Sequence, residues 1–307
     1  MNKLLLLILL CLLSLLLIFI NYNITVKNST ASHTFKQPPK RVVALSWSIT
    51  EDLLELGITP LAIADVTGYR QWVVHPKLPS NVIDLGARQE PNLERLASLK
   101  PDVILVDGEQ ASLVRTLHKI APVLSFSTYQ KDHDNVLAAK NVFLRLADLF
   151  QRQALAQQRL HQLDQSLAKK AALLKAHFMV GNRSSLPKVV SIRFNNASLL
   201  WVYGDNSMPQ YALKKLGMEP ALPEKSSKWG VTQRKVIALA KINNGIVLYF
   251  EPVGAVGDLF TSPIWQAMPF VKKKHYSAVA PVWSYGGLMS IGYIANGITA
   301  ALLKIEP

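Results

Sequence analysis

Between Asp134 and Val180 apolar residues recur at helical spacing, first Val136, Ala139, Phe143, Leu146 and Phe150, then Leu160, Leu163, Leu167, Leu174 and Phe178. Gln, Lys and Arg fill the opposite face, and neither Gly nor Pro interrupts the run. The stretch is too long for one ordinary globular helix. It predicts a helix over 134–150, a break around Gln151–Gln153, and a second helix over 153–178. Short apolar runs alternate with helical patterns on either side. The pattern therefore predicts an α/β protein with two Rossmann-like lobes, residues 32–150 and 181–307, joined by one long rigid helix within 151–180. The rival arrangement makes that stretch an outer helix of a single large α/β domain.

In the first lobe Arg41–Leu45 reads as a buried strand. Ser48-Ile-Thr-Glu51 matches a capping box that opens a helix to Leu56, and Gly57 stops it. Leu61–Ala64 is the next strand. Asn92 caps a helix through Leu99, Pro101 ends it, and the strand Asp102–Val106 follows. A helix around Ser112–Ile120 leads to the strand Val123–Phe126. This alternation predicts a mainly parallel sheet covered on both faces. The segment Val66–Arg88 breaks the rhythm and reads as a loop holding Tyr69, Arg70 and Trp72. Ligands of such lobes sit beyond the carboxyl ends of strands, which makes Trp72 and Arg88 candidate contacts. On the plainer reading Trp72 plugs the lobe and Arg88 forms a surface ion pair.

The second lobe echoes the first. Leu56-Gly-Ile-Thr-Pro60 recurs as Leu216-Gly-Met-Glu-Pro220, and the helix–break–strand of Leu93–Leu105 recurs in Val236–Leu248. Lys188–Phe194, Leu199–Tyr203 and Gly245–Phe250 read as strands, Ser207 caps a helix to Leu216, and Gly287–Leu303 is a C-terminal helix. Trp229, Trp283 and Tyr285 lie in loops beside glycines, off any helix or strand period. Facing across two lobes, such rings would make a shallow aromatic cleft.

The first residues change the setting. Lys3 precedes an apolar run from Leu4 to Ile20, and small residues at Ser29 and Ala31 allow cleavage after Ala31. Residues 1–31 thus read as a signal peptide, with an uncleaved N-terminal anchor as the rival. Cys11 sits between bulky apolar neighbours and reads as a passenger; no other cysteine exists. A net charge of +14 could point to nucleic acid, but the basic residues are scattered over the 307 positions and export argues against it.

Catalytic signatures do not emerge. The sequence has no H-x-x-x-H, C-x-x-C or G-x-S-x-G and no Gly-rich phosphate loop, and its seven histidines are dispersed. A binding protein needs none of these.

Five stretches carry a resemblance: Arg41–Trp47 (RVVALSW), Tyr69–Trp72 (YRQW), Val82–Leu96 (VIDLGARQEPNLERL), Trp265–Val271 (WQAMPFV) and Pro281–Gly286 (PVWSYG). Through them the chain resembles the periplasmic binding proteins for iron(III)-hydroxamate siderophores of the ferrichrome type, whose lobes are joined by one long helix. The resemblance implies that Trp47, Trp72 and Arg88 line the cleft from the first lobe, and Trp229, Trp283 and Tyr285 from the second. It implies no cofactor, because the siderophore itself supplies the oxygen ligands of iron. It also implies a monomer that hands its cargo to an inner-membrane ABC permease with its ATPase. Two departures stand out. Gln110 is aligned where the family places a hydrogen-bonding Tyr. Glu94 fits the acidic docking residue of the first lobe, whereas the basic Arg234 and Lys235 stand near the expected docking site of the second. Haem, cobalamin or a catecholate siderophore are the alternative ligands, and an exported α/β hydrolase is the alternative of another class. A link without interior Gly or Pro further predicts little lobe motion and a cleft largely formed before binding.

Overall fold

Two five-stranded sheets collect the short apolar runs, and a 26-residue helix runs between them in sequence. The computed structural model describes residues 24–27, 32–129, 134–181, 184–253 and 256–307. The leader assigned to residues 1–31 falls mostly outside the described residues, Cys11 included. Its described part is strand β1 (Ile24–Lys27), paired antiparallel with β2 (Ser32–Phe35).

The first sheet holds β3 (Val42–Ala44), β4 (Ala62–Ile63), β5 (Ile83–Asp84), β6 (Val103–Val106) and β7 (Val123–Ser125). Its order is β5-β4-β3-β6-β7 and every pairing is parallel. The second holds β8 (Lys188–Phe194), β9 (Leu199–Tyr203), β10 (Val231–Lys235), β11 (Gly245–Phe250) and β12 (Tyr276–Val279). There β8, β11 and β12 run parallel, while β9 is antiparallel to both β8 and the edge strand β10. The main helices are α1 (Trp47–Glu55), α2 (Leu93–Ser98), α3 (Asn135–Leu149), α4 (Gln153–Phe178), α5 (Met208–Lys215) and α6 (Ser290–Leu302).

The helical run breaks where the sequence places the break. Asp134 caps α3 through its carboxylate, and Gln151 takes a positive φ of 54° before α4 begins. The first pair of echoed motifs folds alike, whereas in the second the α-helix Leu93–Ser98 is answered by a 3-10 helix, Val236–Lys241. Gly57 (φ 72°) and Gly217 (φ 83°) each end a helix in the left-handed region that favours glycine. Ile58 N then donates back to Leu53 O (2.8 Å), as Met218 N does to Leu213 O (2.9 Å).

A single apolar core spans both lobes. Val42, Trp47 and Leu53 of the first lobe, Phe143, Leu146, Leu167 and Leu174 of the linking helices, and Met208, Leu213, Phe250 and Ile294 of the second all belong to it. Separate cores cover the far face of each sheet. Burial of one such large aliphatic side chain stabilises by about 1.5–3 kcal/mol, so the lobes are held together by much more than α4.

The polar centre of that junction overturns one expectation. Ser48 does not open a capping box; α1 starts two residues earlier, with Ser46 as the cap position and no side-chain cap bond. Glu51 reaches instead into the second lobe. Its carboxylate accepts from Gly287 N (3.0 Å) and from Ser290 Oγ (2.7 Å). Glu55 accepts from the Tyr293 hydroxyl and lies 3.4 Å from Arg159 Nε. Asp52 is buried with its Oδ1 unpartnered, and a Cβ at position 287 would stand 2.3 Å from that oxygen. Glycine is required at 287 by this close approach.

Three further corrections are local. The segment Val66–Arg88 is not all loop: it contains one helical turn (Val66–Gly68), a π-helical turn (Tyr69–Val73) and β5. The helix expected around Ser112–Ile120 is a 3-10 turn, Gly108–Leu113, followed by one α-turn, Val114–Leu117. Gln110, expected to face a ligand, is fully buried. Its Oε1 accepts from Asp107 N (3.3 Å) and its Nε2 lies 3.5 Å from Arg88 O. Asp107 caps the turn, and this fixes which side chains point inward.

Two outcomes follow from this packing. Burial holds Glu51 and Asp52 well above their ordinary values of 4.5 and 3.8, so the folded chain binds protons that the unfolded chain has already released. Their contribution to stability is complete below the unfolded values and is lost as pH rises through the folded ones. Denaturant unfolding between about pH 5 and 8 should show stability falling with pH, and Glu51→Gln should flatten that slope; an unchanged slope in the variant refutes the assignment. Gln110→Ala should cost roughly 1–2 kcal/mol in the same assay, as a buried group bound to the backbone. A loss near zero would mean that Gln110 does not hold the turn.

Candidate functional site

In the first sheet β3 and β6 are neighbours, but their chains leave in opposite directions, β3 towards β4 and β6 towards β7. A crevice opens at the carboxyl ends of such a pair. Ser46, Trp47 and Ser48 follow β3, and Asp107 and Glu109 follow β6. Ser46 Oγ donates to Asp107 Oδ2 (2.5 Å) across the crevice and meets Ser48 Oγ at 2.9 Å. Trp47 is 4 % exposed, and its indole N–H donates to Ala64 O (3.1 Å), which fixes the ring as a wall. Arg88, in the turn after β5, lays its guanidinium 4.1 Å above that ring. Its Nη1 donates to Glu109 Oε2 at 3.0 Å.

The second lobe meets this wall with rings. Trp283 and Tyr285 follow β12, and Trp229 precedes β10. Trp283 lies edge-on to Trp47 (5.0 Å between centroids) and 5.8 Å from the Arg88 guanidinium. Tyr285 is 5.4 Å from Trp283 and 6.1 Å from Trp229. Tyr129, which follows β7, stacks on Trp229 at 5.7 Å and donates its hydroxyl to Gly286 O of the second lobe (2.7 Å). Burial pushes the phenols of Tyr129 and Tyr285 upward, so both stay neutral donors. Burial also raises Glu109; the Arg88 charge opposes this and the Asp107 charge adds to it.

Five of the seven cleft residues named from the sequence therefore converge: Trp47, Arg88, Trp229, Trp283 and Tyr285. Trp72 stands to one side, where Arg193 of the second lobe lies 5.6 Å over its ring. Gln110 faces away, and the position beside Arg88 belongs to Glu109. Ser46, Ser48, Asp107, Glu109 and Tyr129 were missed. Asp107 and Glu109 had a signal, since both lie directly beyond the carboxyl end of a predicted strand. Tyr129 had none.

The cleft is narrow between its rings and widens beside them, where a pocket of about 200 Å³ is lined by Asp107, Glu109, Tyr129, Lys228 and Trp229. The space among the converging residues is about 20 Å³, room for about one water. The rings of the two lobes fill it by stacking on one another. The Tyr129–Trp229 stack and the Tyr129–Gly286 bond close the space between the two walls. A larger groove of about 1050 Å³, bounded by Asp134 and Lys214, is lined by one aromatic ring, Tyr211, and by charges of both signs.

Outside the cleft, Glu94 is exposed in the first turn of α2. Arg234 is held by both carboxylate oxygens of Glu224, each at 2.7 Å, whereas Lys235 is exposed at the end of β10.

Comparison with known proteins gives one consistent answer. The periplasmic binding protein family model matches residues 42–278. The iron(3+)-hydroxamate-binding protein FhuD of Escherichia coli K12 is 33 % identical over 273 residues, 88 % of this chain and 90 % of the relative. The Fe(3+)-citrate-binding protein YfmC of Bacillus subtilis 168 is 28 % identical over 82 % of this chain and 76 % of its own. A crystal structure of FhuD from Vibrio cholerae, described as bound to Fe3+–Desferal, superposes with a TM-score of 0.84. It is 42 % identical, over 87 % of this chain and 99 % of that one. The hydrolase alternative falls with these matches. A cleft at the junction of two α/β lobes and a family match across both sheets agree: the chain belongs to the periplasmic binding proteins, a family of solute carriers and not of enzymes.

Proposed function

We propose that the protein captures ferric hydroxamate siderophores in the periplasm and delivers them to an inner-membrane ABC permease with its ATPase. The observation that carries this reading is Arg88, stacked on Trp47 beside Trp283 at the mouth of a ring-lined cleft. A ferric hydroxamate presents an apolar skeleton and a rim of oxygens that are already bound to iron. Aromatic faces suit the skeleton. A planar guanidinium with five N–H donors suits the oxygens, and it keeps donors to spare after pairing with Glu109. The Escherichia coli and Vibrio cholerae relatives, named for a hydroxamate and described with Fe3+–Desferal, support the same ligand class. Iron would be held through the siderophore alone, with no protein ligand.

Catecholate complexes are strongly anionic and fit this cleft poorly, since its lining offers one cation, Arg88, against Asp107 and Glu109. The exposed Glu94 is the first-lobe docking residue in this reading. The second lobe presents Lys235 where an acid was expected, so docking there follows another rule. The carrier acts as a monomer, either free in the periplasm or tethered by its first residues.

Tryptophan fluorescence titrated with ferric siderophores tests the proposal. Ferric hydroxamates at micromolar concentration should quench the emission, because Trp229 and Trp283 come to lie against the ligand. No change with hydroxamates, together with a response to haem or cobalamin, refutes the ligand class. Arg88→Ala should lose about 1.5–3 kcal/mol of binding, the worth of a charge-assisted hydrogen bond; unaltered affinity would remove Arg88 as the anchor.

A further inference from the structure

The guanidinium of Arg88 is already engaged before any ligand arrives. Its Nη1 lies 3.0 Å from Glu109 Oε2, and the two side chains keep 20 % and 28 % of their exposure. The backbone at Glu109 is fixed. Its N–H is held by Asp107 Oδ1 (2.8 Å), and the residue sits in the turn that Asp107 and the buried Gln110 close. Among the residues lining the cleft, Arg88 is the sole cation, and Asp107 and Glu109 are both carboxylates. Lys228 stands at the rim, with its ammonium 5.3 Å over the outer Trp229 ring.

We propose that Glu109 is a specificity-determining residue: by pairing with Arg88 it makes the cleft select ferric hydroxamates of neutral or positive net charge and disfavour anionic ones. The inference rests on the proposed function and narrows its ligand class. A neutral hydroxamate can take the guanidinium donors that Glu109 leaves unused, so the ion pair survives binding. An anionic complex must either displace Glu109 into a partly dehydrated site or place its own charge beside two carboxylates. Both routes cost affinity, and specificity is such a difference of affinities. A ligand bearing a pendant ammonium instead gains from the same two carboxylates.

A charge series on one skeleton tests this. Ferric desferrioxamine B carries a free ammonium, its N-acetyl derivative is neutral, and its N-succinyl derivative is anionic. The iron coordination is the same in all three. Titrated at low ionic strength, the wild-type protein should bind the ammonium form and the acetyl form more tightly than the succinyl form. The ends of the series should differ by about tenfold, on the order of one partly screened unit charge. Added salt should narrow that spread. Glu109→Gln should narrow it as well, mainly by improving the succinyl form, and Glu109→Asp should preserve the order. Should Glu109→Gln fail to fold, the wild-type spread, its salt dependence and the Asp variant decide the matter. An absent spread in the wild type, or an equal spread in wild type and Glu109→Gln, overturns the role of Glu109 and leaves the proposed function standing. Failure of all three ligands to bind the wild type overturns the proposed function, and this inference with it.

Discussion

Glu51 crosses from the first lobe to the second, where it receives the Gly287 amide and the Ser290 hydroxyl. Much else depends on that contact. A carboxyl group removed from water must keep its hydrogen-bond partners, and this ties α1 to the start of α6 in a fixed register. α1 also supplies Trp47 at its first turn, and the segment leading into α6 carries Trp283 and Tyr285. The same junction therefore sets how the two aromatic walls face each other. Gly286 and Gly287 have no side chain because the carboxylates of Glu51 and Asp52 occupy that space.

That arrangement explains how one cleft can be both firm at its base and closed at its mouth. The shared apolar core and the buried carboxylates resist separation of the lobes. At the mouth ring contacts, the Arg88 guanidinium beside Trp283 and the bond from Tyr129 to Gly286 hold the walls together. Stacked aromatic pairs are worth about 0.5–1.5 kcal/mol each, and a ligand that offers its own apolar faces can replace them. The floor of the cleft is therefore built of buried groups, and its mouth of ring contacts.

The pairing of Arg88 with Glu109 shows why residue type alone is a poor guide to a binding site. An unpaired Arg in a cleft attracts anions of many kinds. With a carboxylate at 3.0 Å it becomes a directional donor of hydrogen bonds with little net charge. The relatives include carriers named for hydroxamate and for citrate, which differ greatly in charge. A single side chain beside the guanidinium is a compact way to separate such ligands.

The sequence by itself determined the elements that depend on neighbours in the chain. The break before α4, the glycine stops after Leu56 and Leu216, the Asn92 and Ser207 caps and the buried strands were legible, because spacing and local hydrogen bonds fix them. The loop aromatics Trp229, Trp283 and Tyr285 were legible as candidate cleft residues because no core period accounts for them, and the fold brings them together. Tertiary structure decided what depends on distant partners. Glu51 looked like a cap, but its partners lie more than two hundred residues away, at Gly287 and Ser290. Gln110 and Glu109 are adjacent in sequence, and only the turn closed by Asp107 sends one inward and the other to Arg88. Tyr129 bore no local mark at all; its place in the site exists only because the second lobe brings Trp229 and Gly286 to it.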